Sequence, residues 1–404
     1  MSPRVIVFCA CDRHNLGDLL FPHIAAALLP GREIVVAGLV ERDLRAFGGH
    51  AVQALHRLRA DDGATLLHAG GEILGCSAWQ AAAMLLPPEP PRALQATLAY
   101  LEKHPAEREA YMRARLGTEA QAPYVAARHR LPGVGRIVHA GIGGVDLDRA
   151  EPRFRDEVLA ALREADVVAV RDARTQSHLL AAGVRCSLLP DPAVLIAELF
   201  GERIHAKAAG GEIAALRRAF PQGWLAVQCS AEFGDDATLS LLAARLSQFI
   251  AGTGIGVALF RAGAAPWHDD LGLLQRLASR LPTGRARLVE SLDIWTICAL
   301  LAASRGYCGS SLHGRIVAAA FGRPVLNLRA PSAGGGSAAK VQACADTWEG
   351  VRRAAGVPAV VDVEDLAGGL RAALALDSRR LQEEARMLAA RYRAGFDALT
   401  ALMA

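Results

Sequence analysis

Aromatic residues make up only 5% of the 404 residues, three of the 45 basic residues are lysines (Lys103, Lys207 and Lys340), and no two of the eight cysteines form a CxxC pair. Each scarcity excludes something. The basic residues are spread as arginines without forming runs and the net charge is only +4, so no nucleic-acid partner is expected. Cysteines without paired clusters argue against a disulfide framework and read as reduced thiols in a cytosolic protein. Cys9 and Cys11 share one face of a strand, but no second Cys/His pair completes a metal site, and no metal is expected. No apolar stretch approaches the ~18 to 20 uninterrupted residues of a membrane span. The N-terminal residues run straight into an apolar strand without the zones of a signal peptide. The expectation is a soluble, cytoplasmic protein.

What is present is apolar residue and glycine: 52% hydrophobic positions, 39 Gly and 21% charge, which suits a large core and excludes disordered and fibrous classes. The length exceeds what one core usually supports, so two domains are expected. Short apolar runs ending in Gly, Cys or Asp alternate with helical patterns, the signature of β-α units and parallel sheets. In the first half the strands fall at 5–9, 34–38, 65–68, 136–140, 167–170 and 185–189; in the second at 224–228, 255–260, 286–289, 306–308 and 325–328. The fold class expected is α/β: two Rossmann-like, doubly wound domains, residues 1–200 and 212–370, facing a ligand cleft, with a helical segment 371–404 packing back. Residues 77–135, with their Pro87-Pro88-Glu89-Pro90-Pro91 run, read as an inserted helical excursion, either a solvated cap or a lid that recognises an acceptor.

Four motifs stand at strand ends. Asn15, Gly17 and Asp18 open the first helix, where free amides attract anions; an ordinary strand-to-helix turn is the other reading. Gly70-Gly71-Glu72 allows close approach of a ligand or of another loop. Arg171, at the end of a strand, either takes a carboxylate or phosphate bidentately or orders its loop through an ion pair with Asp172 or Asp191. Ser310-Ser311-Leu312-His313-Gly314 offers hydroxyls, helix amides and an imidazole, which is what a phosphate site with a general acid or base requires, although a buried structural histidine is the competing reading. His268, after another strand, and Lys340, after the glycine-rich 333–337 loop, complete the candidate ligand-binding residues.

Asn15-x-Gly17-Asp18, Gly70-Gly71, Arg171-Asp172 with Gly183 and Asp191-Pro192, and Ser310-Ser311-Leu312-His313-Gly314 with Gly322-x-Pro324 resemble, in this order, the polysaccharide pyruvyl transferase family. Many members carry Arg where this chain has Ser311, and others have the Ser-Ser form. The resemblance implies a GT-B-like enzyme that moves the enolpyruvyl unit of phosphoenolpyruvate onto saccharide hydroxyls, giving a pyruvate ketal and free phosphate. It implies no metal or redox cofactor, with phosphoenolpyruvate as co-substrate. Arg171 would hold the donor and His313 would serve the proton transfers. The acceptor would be a saccharide, free or lipid-linked, and the reading leaves open peripheral contact with the inner membrane face and self-association. The competing readings are a GT-B-like glycosyltransferase using a nucleotide sugar and a catalytically silent glycan-binding member.

Overall fold

The structure is a computed structural model that describes residues 4–60, 63–87, 92–331 and 336–401. It divides into two compact units, one formed by the chain up to Pro192 together with the stretch from Arg391, the other by Ala193–Ala390. The second unit begins before residue 200 because the helix Ile196–Ala208 buries Ile196, Ile204 and Ala208 and packs on the helix Ile294–Ala303. The long helix Ser378–Ala401 is shared: its first half groups with the second unit, and its last turns, with Tyr392 stacked on Phe396, group with the first.

The first unit carries β1 (Val5–Phe8), β2 (Ile34–Gly38), β3 (Arg42–Asp43), β4 (Ala51–Ala54), β5 (Thr65–Ala69), β6 (Arg136–Ile142), β7 (Val167–Val170) and β8 (Ser187–Leu188). Their order is β3-β4-β2-β1-β5-β6-β7-β8, parallel except for the β3–β4 pair. Strand β1 is buried at all four positions, as expected where helices cover both faces of a parallel sheet. The sequence pattern misses β3 and β4: one is a two-residue polar strand, and the other alternates exposed and buried residues near the sheet edge. From β1 the sheet extends one way to β2 and the other way to β5, so its switch point lies between the carboxyl ends of β1 and β5.

The second unit holds β9 (Trp224–Gln228), β10 (Gly256–Phe260), β11 (Ala286–Val289), β12 (Gly306–Gly309), β13 (Val325–Leu328) and β14 (Val360–Val361) in the order β11-β10-β9-β12-β13-β14. Counted within the unit this is 3-2-1-4-5-6, the Rossmann order, with its switch point between β9 and β12. Ligands of such sheets bind outside the carboxyl ends of the strands at that point.

The excursion is helical, as expected, with helices Ala78–Met84, Arg92–Lys103 and Pro105–Leu116. It is not a detached cap, because its return segment buries Ala122, Tyr124, Val125 and Ala126 in the core of the first unit.

His68 and His139, neighbours on β5 and β6, also lie in this core and not in a site. Their rings stack at 4.0 Å, both fully buried, and His68 Nε2 accepts the Ala126 N–H at 3.1 Å. Burial holds both rings neutral, with His68 well below the usual histidine range and His139 lowered from 6.5 to about 3. The unfolded chain therefore binds more protons than the folded one below pH 6.5, and stability falls as pH drops from there toward 3. At pH 5 the buried His139 is expected to cost about 2 kcal/mol relative to neutral pH. Denaturant unfolding between pH 7 and 5 should show a shallower decline for His139→Leu than for the parent chain.

Candidate functional site

In the second unit the switch point gathers one motif. Strand β12 ends at Gly309, and Ser311 caps the helix Leu312–Ala320, its Oγ accepting the Gly314 N–H at 3.1 Å. Beside it β9 ends in Gln228, whose Oε1 accepts the backbone N–H of Ser310 at 3.0 Å and of Ser311 at 2.8 Å. The Tyr307 hydroxyl lies 3.2 Å from the same oxygen and 3.0 Å from the Ser311 carbonyl. Within the expected nest of hydroxyls and helix amides, the Ser310 and Ser311 amides are thus already taken by a side-chain oxygen of the protein, since buried donors without a partner would be costly. The glycines make room for this. A Cβ on Gly309 would stand 2.8 Å from Gln228 Oε1, and one on Gly314 2.7 Å from the Tyr307 ring, so Gly314 serves packing.

Gln228 is oriented by Asp269, whose Oδ1 accepts its Nε2–H at 2.6 Å while Oδ2 accepts the Ala262 and Gly263 amides at 2.6 and 3.2 Å. Burial pushes the Asp269 carboxyl up to about 7 against these three donors, whose geometry suits the ionised form. His313 occupies the first turn of its helix with 9% exposure. Ser337 Oγ donates to the Ser310 carbonyl at 3.0 Å, which brings the start of the helix Gly336–Trp348 to this loop, and Lys340 lies half-buried further along the same helix. Residues 333–335 of the preceding glycine-rich loop lie outside the described residues.

His268 belongs to a tight turn after β10. The His268 N–H donates to the Ala265 carbonyl at 3.1 Å, Pro266 takes the second position and Trp267 the third, with φ +65°. This is the pattern of a type II turn, whose third position favours glycine; a tryptophan there costs about 1–2 kcal/mol. The His268 ring folds back, its Nδ1–H donating to the Pro266 carbonyl at 3.2 Å.

In the first unit the motif residues hold one another. Asn15 caps the helix Leu16–Leu28, its Oδ1 accepting the Gly17 N–H at 3.2 Å, and Asp18 lies 3.5 Å from Arg13. Gly70 and Gly71 have φ +61° and +84°, and a Cβ on Gly70 would stand 2.6 Å from the Phe21 ring, so close packing of β5 over this helix requires the glycine. Glu72 Oε1 accepts the Val145 N–H at 2.8 Å, and its other oxygen pairs with Arg171. Arg171 is 2% exposed and also donates to Asp191 at 2.9 Å. Of its two sequence readings the ion pair is the one the structure contains, with Glu72 as well as Asp191 as partner. Glycine at 143 lets the guanidinium pass beneath, since a Cβ there would stand 2.6 Å from Arg171 Nε.

Sequence reasoning missed Gln228, Asp269, Asn327 and Asp12. Asn327 donates to the Ser311 carbonyl at 3.3 Å. Buried Asp12 accepts from the Tyr124 hydroxyl at 2.7 Å and the Leu39 amide at 2.6 Å. The signal was present for three of them: Gln228 and Asn327 are polar residues in otherwise apolar strands, and Asp12 ends the apolar run that continues through Cys9-Ala10-Cys11 after β1.

Two parallel-sheet α/β units, the second with the Rossmann strand order and a polar cluster at its switch point, are of the GT-B-type fold class. The family model for polysaccharide pyruvyl transferase matches residues 141–329 of the chain. Among solved structures, UDP-GlcNAc 2-epimerase from Neisseria meningitidis is 11% identical with a TM-score of 0.52, covering 98% of this chain and 99% of its own. Alpha,alpha-trehalose 6-phosphate synthase from Burkholderia multivorans is 13% identical with a TM-score of 0.50, covering 100% of this chain and 98% of its own. At such identity the likeness shows the fold alone. No curated protein matches the chain. No helix among the described residues is long and apolar enough to cross a membrane, and no group of metal-ligating side chains occurs among them.

Proposed function

We propose that the protein transfers the enolpyruvyl unit of phosphoenolpyruvate to hydroxyls of a saccharide acceptor. The observation that carries this reading is the Ser310–Gly314 cluster at the Rossmann switch point, with His313 on the first helical turn, inside the stretch matched by the family model. The donor's phosphate meets this first turn at Leu312 and His313, with Lys340 as the added cation. Protonation of the methylene carbon generates an oxocarbenium-like centre at the carbon bearing phosphate. One acceptor hydroxyl adds to that centre, phosphate leaves, and a neighbouring hydroxyl closes the ketal. His313 supplies the acid or base for these transfers. The acceptor is free or lipid-linked, and in the second case the enzyme works at the inner membrane face.

The nucleotide-sugar alternative needs a carboxylate for a ribose near the end of the second unit. Glu349 is removed from that role, since both Arg315 and Arg352 hold it. The test is thermal unfolding with phosphoenolpyruvate or with UDP-sugars. At about 100 times Kd a ligand of the folded state adds about 2.7 kcal/mol, a rise of several degrees. A shift with phosphoenolpyruvate is the expected result, and a shift with UDP-sugars alone would transfer the assignment to a glycosyltransferase.

A further inference from the structure

The helical excursion carries a charge arrangement that the proposed donor site does not use. Arg42, on β3, and Arg115, in the last turn of the helix Pro105–Leu116, both donate through Nη2 to one acceptor, the Leu85 carbonyl, at 2.5 and 2.8 Å. That carbonyl follows the helix Ala78–Met84, whose C-terminus attracts cations, but a neutral donor or a single cation would serve it as well. The second guanidinium brings a like charge against the first, and both are half-buried. The carboxylates around Arg42 are engaged elsewhere. Glu41 and Asp43, its neighbours in the chain, pair with Arg57 at 3.0 Å and Arg45 at 2.6 Å, while Asp12 is held by the Tyr124 hydroxyl and the Leu39 and Val40 amides. Among the described residues neither Arg42 nor Arg115 stands within ion-pair distance of a carboxylate, and Leu85 is the one hydrogen-bond partner of each. Burial, together with Arg115, lowers the Arg42 pKa against the pull of Asp12 and Tyr124, so negative charge is short at this point.

We infer that Arg42 and Arg115 form an oxyanion site for a phosphate or carboxylate group carried by the acceptor saccharide. This rests on the reading of the enzyme as a saccharide transferase. Each planar guanidinium has five N–H groups, of which the Leu85 carbonyl takes one. Two forks that meet on a single oxygen are close enough to hold one oxyanion between them, and phosphate and carboxylate accept the parallel N–H bonds that arginine offers. The position in the fold agrees. Asp12, whose charge reaches Arg42, lies in the segment after β1 and binds the amides just after β2. The pair therefore stands on the carboxyl side of the first unit's sheet, where doubly wound folds hold their ligands. The excursion supplies Arg115 and, through Leu85, the oxygen that aligns both forks.

The experiment is thermal unfolding of the full chain in saturating phosphoenolpyruvate, titrated with glucose 1-phosphate, glucuronate, glucose or sodium chloride, for the parent, Arg42→Gln, Arg115→Gln and Arg42→Lys. Glutamine keeps an N–H for the Leu85 carbonyl and removes the charge. At least one of the two anionic sugars is expected to raise the parent's melting temperature by several degrees, while glucose and the salt do not. A shift with glucose 1-phosphate alone marks a phosphate ester, one with glucuronate alone a uronate, and one with both a site for either. Each glutamine variant should bind the active sugar roughly tenfold more weakly, with the lysine variant in between and the shift by phosphoenolpyruvate unchanged. If a glutamine variant does not fold, Arg42→Lys reads the same loss of affinity. No shift with either anionic sugar, an equal shift with glucose, equal binding by the variants, or loss of the phosphoenolpyruvate shift in them would each overturn the site. If an anionic sugar stabilises the parent through both arginines and phosphoenolpyruvate does not, the donor assignment falls and the oxyanion site stands.

Discussion

Arg171→Ala lowers the melting temperature by roughly 10 °C in the absence of any ligand, a loss of about 3–5 kcal/mol. The physical reason is what remains after truncation. Asp191, whose side chain is fully buried, and Glu72, about a quarter exposed, share the one guanidinium between them. Removing it takes the shared guanidinium away from two carboxylates in a low-dielectric interior. Glu72 also fixes the Val145 amide, so the whole 141–145 turn loosens with it. Arg171→Lys should recover only part of the loss, because an ammonium is a point charge and cannot span two carboxylates in the way a planar fork does. Thermal unfolding of both variants checks this. A change below about 2 °C for the alanine variant would return Arg171 to a ligand-holding role.

His313→Ala behaves oppositely, with the melting temperature within about 2 °C of the parent and acceptor-dependent phosphate release from phosphoenolpyruvate reduced at least about 100-fold. The ring stands on the first turn of its helix, whose cap is formed by Ser311 and whose next position is Gly314, so truncation leaves the scaffold bonds in place. Measuring kcat and KM separately is informative. A proton-transfer role lowers kcat, whereas a role confined to phosphate binding raises the KM for phosphoenolpyruvate and spares kcat. An unchanged kcat would remove His313 from the chemistry.

The sheets were legible in the sequence because parallel strands buried on both faces must be short apolar runs, and VIVF, TLLHA and WLAVQ stand out against helical stretches. The order of strands, and hence the switch point, was not legible, because no local pattern records which strand pairs with which. The candidate residues were found where glycine, serine or histidine interrupted that pattern. Their roles were less accessible. Gly70 is set by the Phe21 ring, which lies far away in sequence, and Arg171 by Glu72 and Asp191, again distant in the chain. Gln228 was overlooked because a polar residue closing a strand looks like an ordinary exit to solvent, whereas its amide is turned inward to the loop after β12.

That inward amide makes the protein its own competitor. The Gln228 oxygen engages the same two N–H groups that an anion would seek. Affinity at this point is therefore a difference between two occupants, and an incoming oxyanion gains only what exceeds the resident amide. Small buffer anions that offer a single weak acceptor have nothing to exchange for. On the proposed reading the donor's phosphate is therefore left with the first helical turn at Leu312 and His313, while the two amides stay with Gln228.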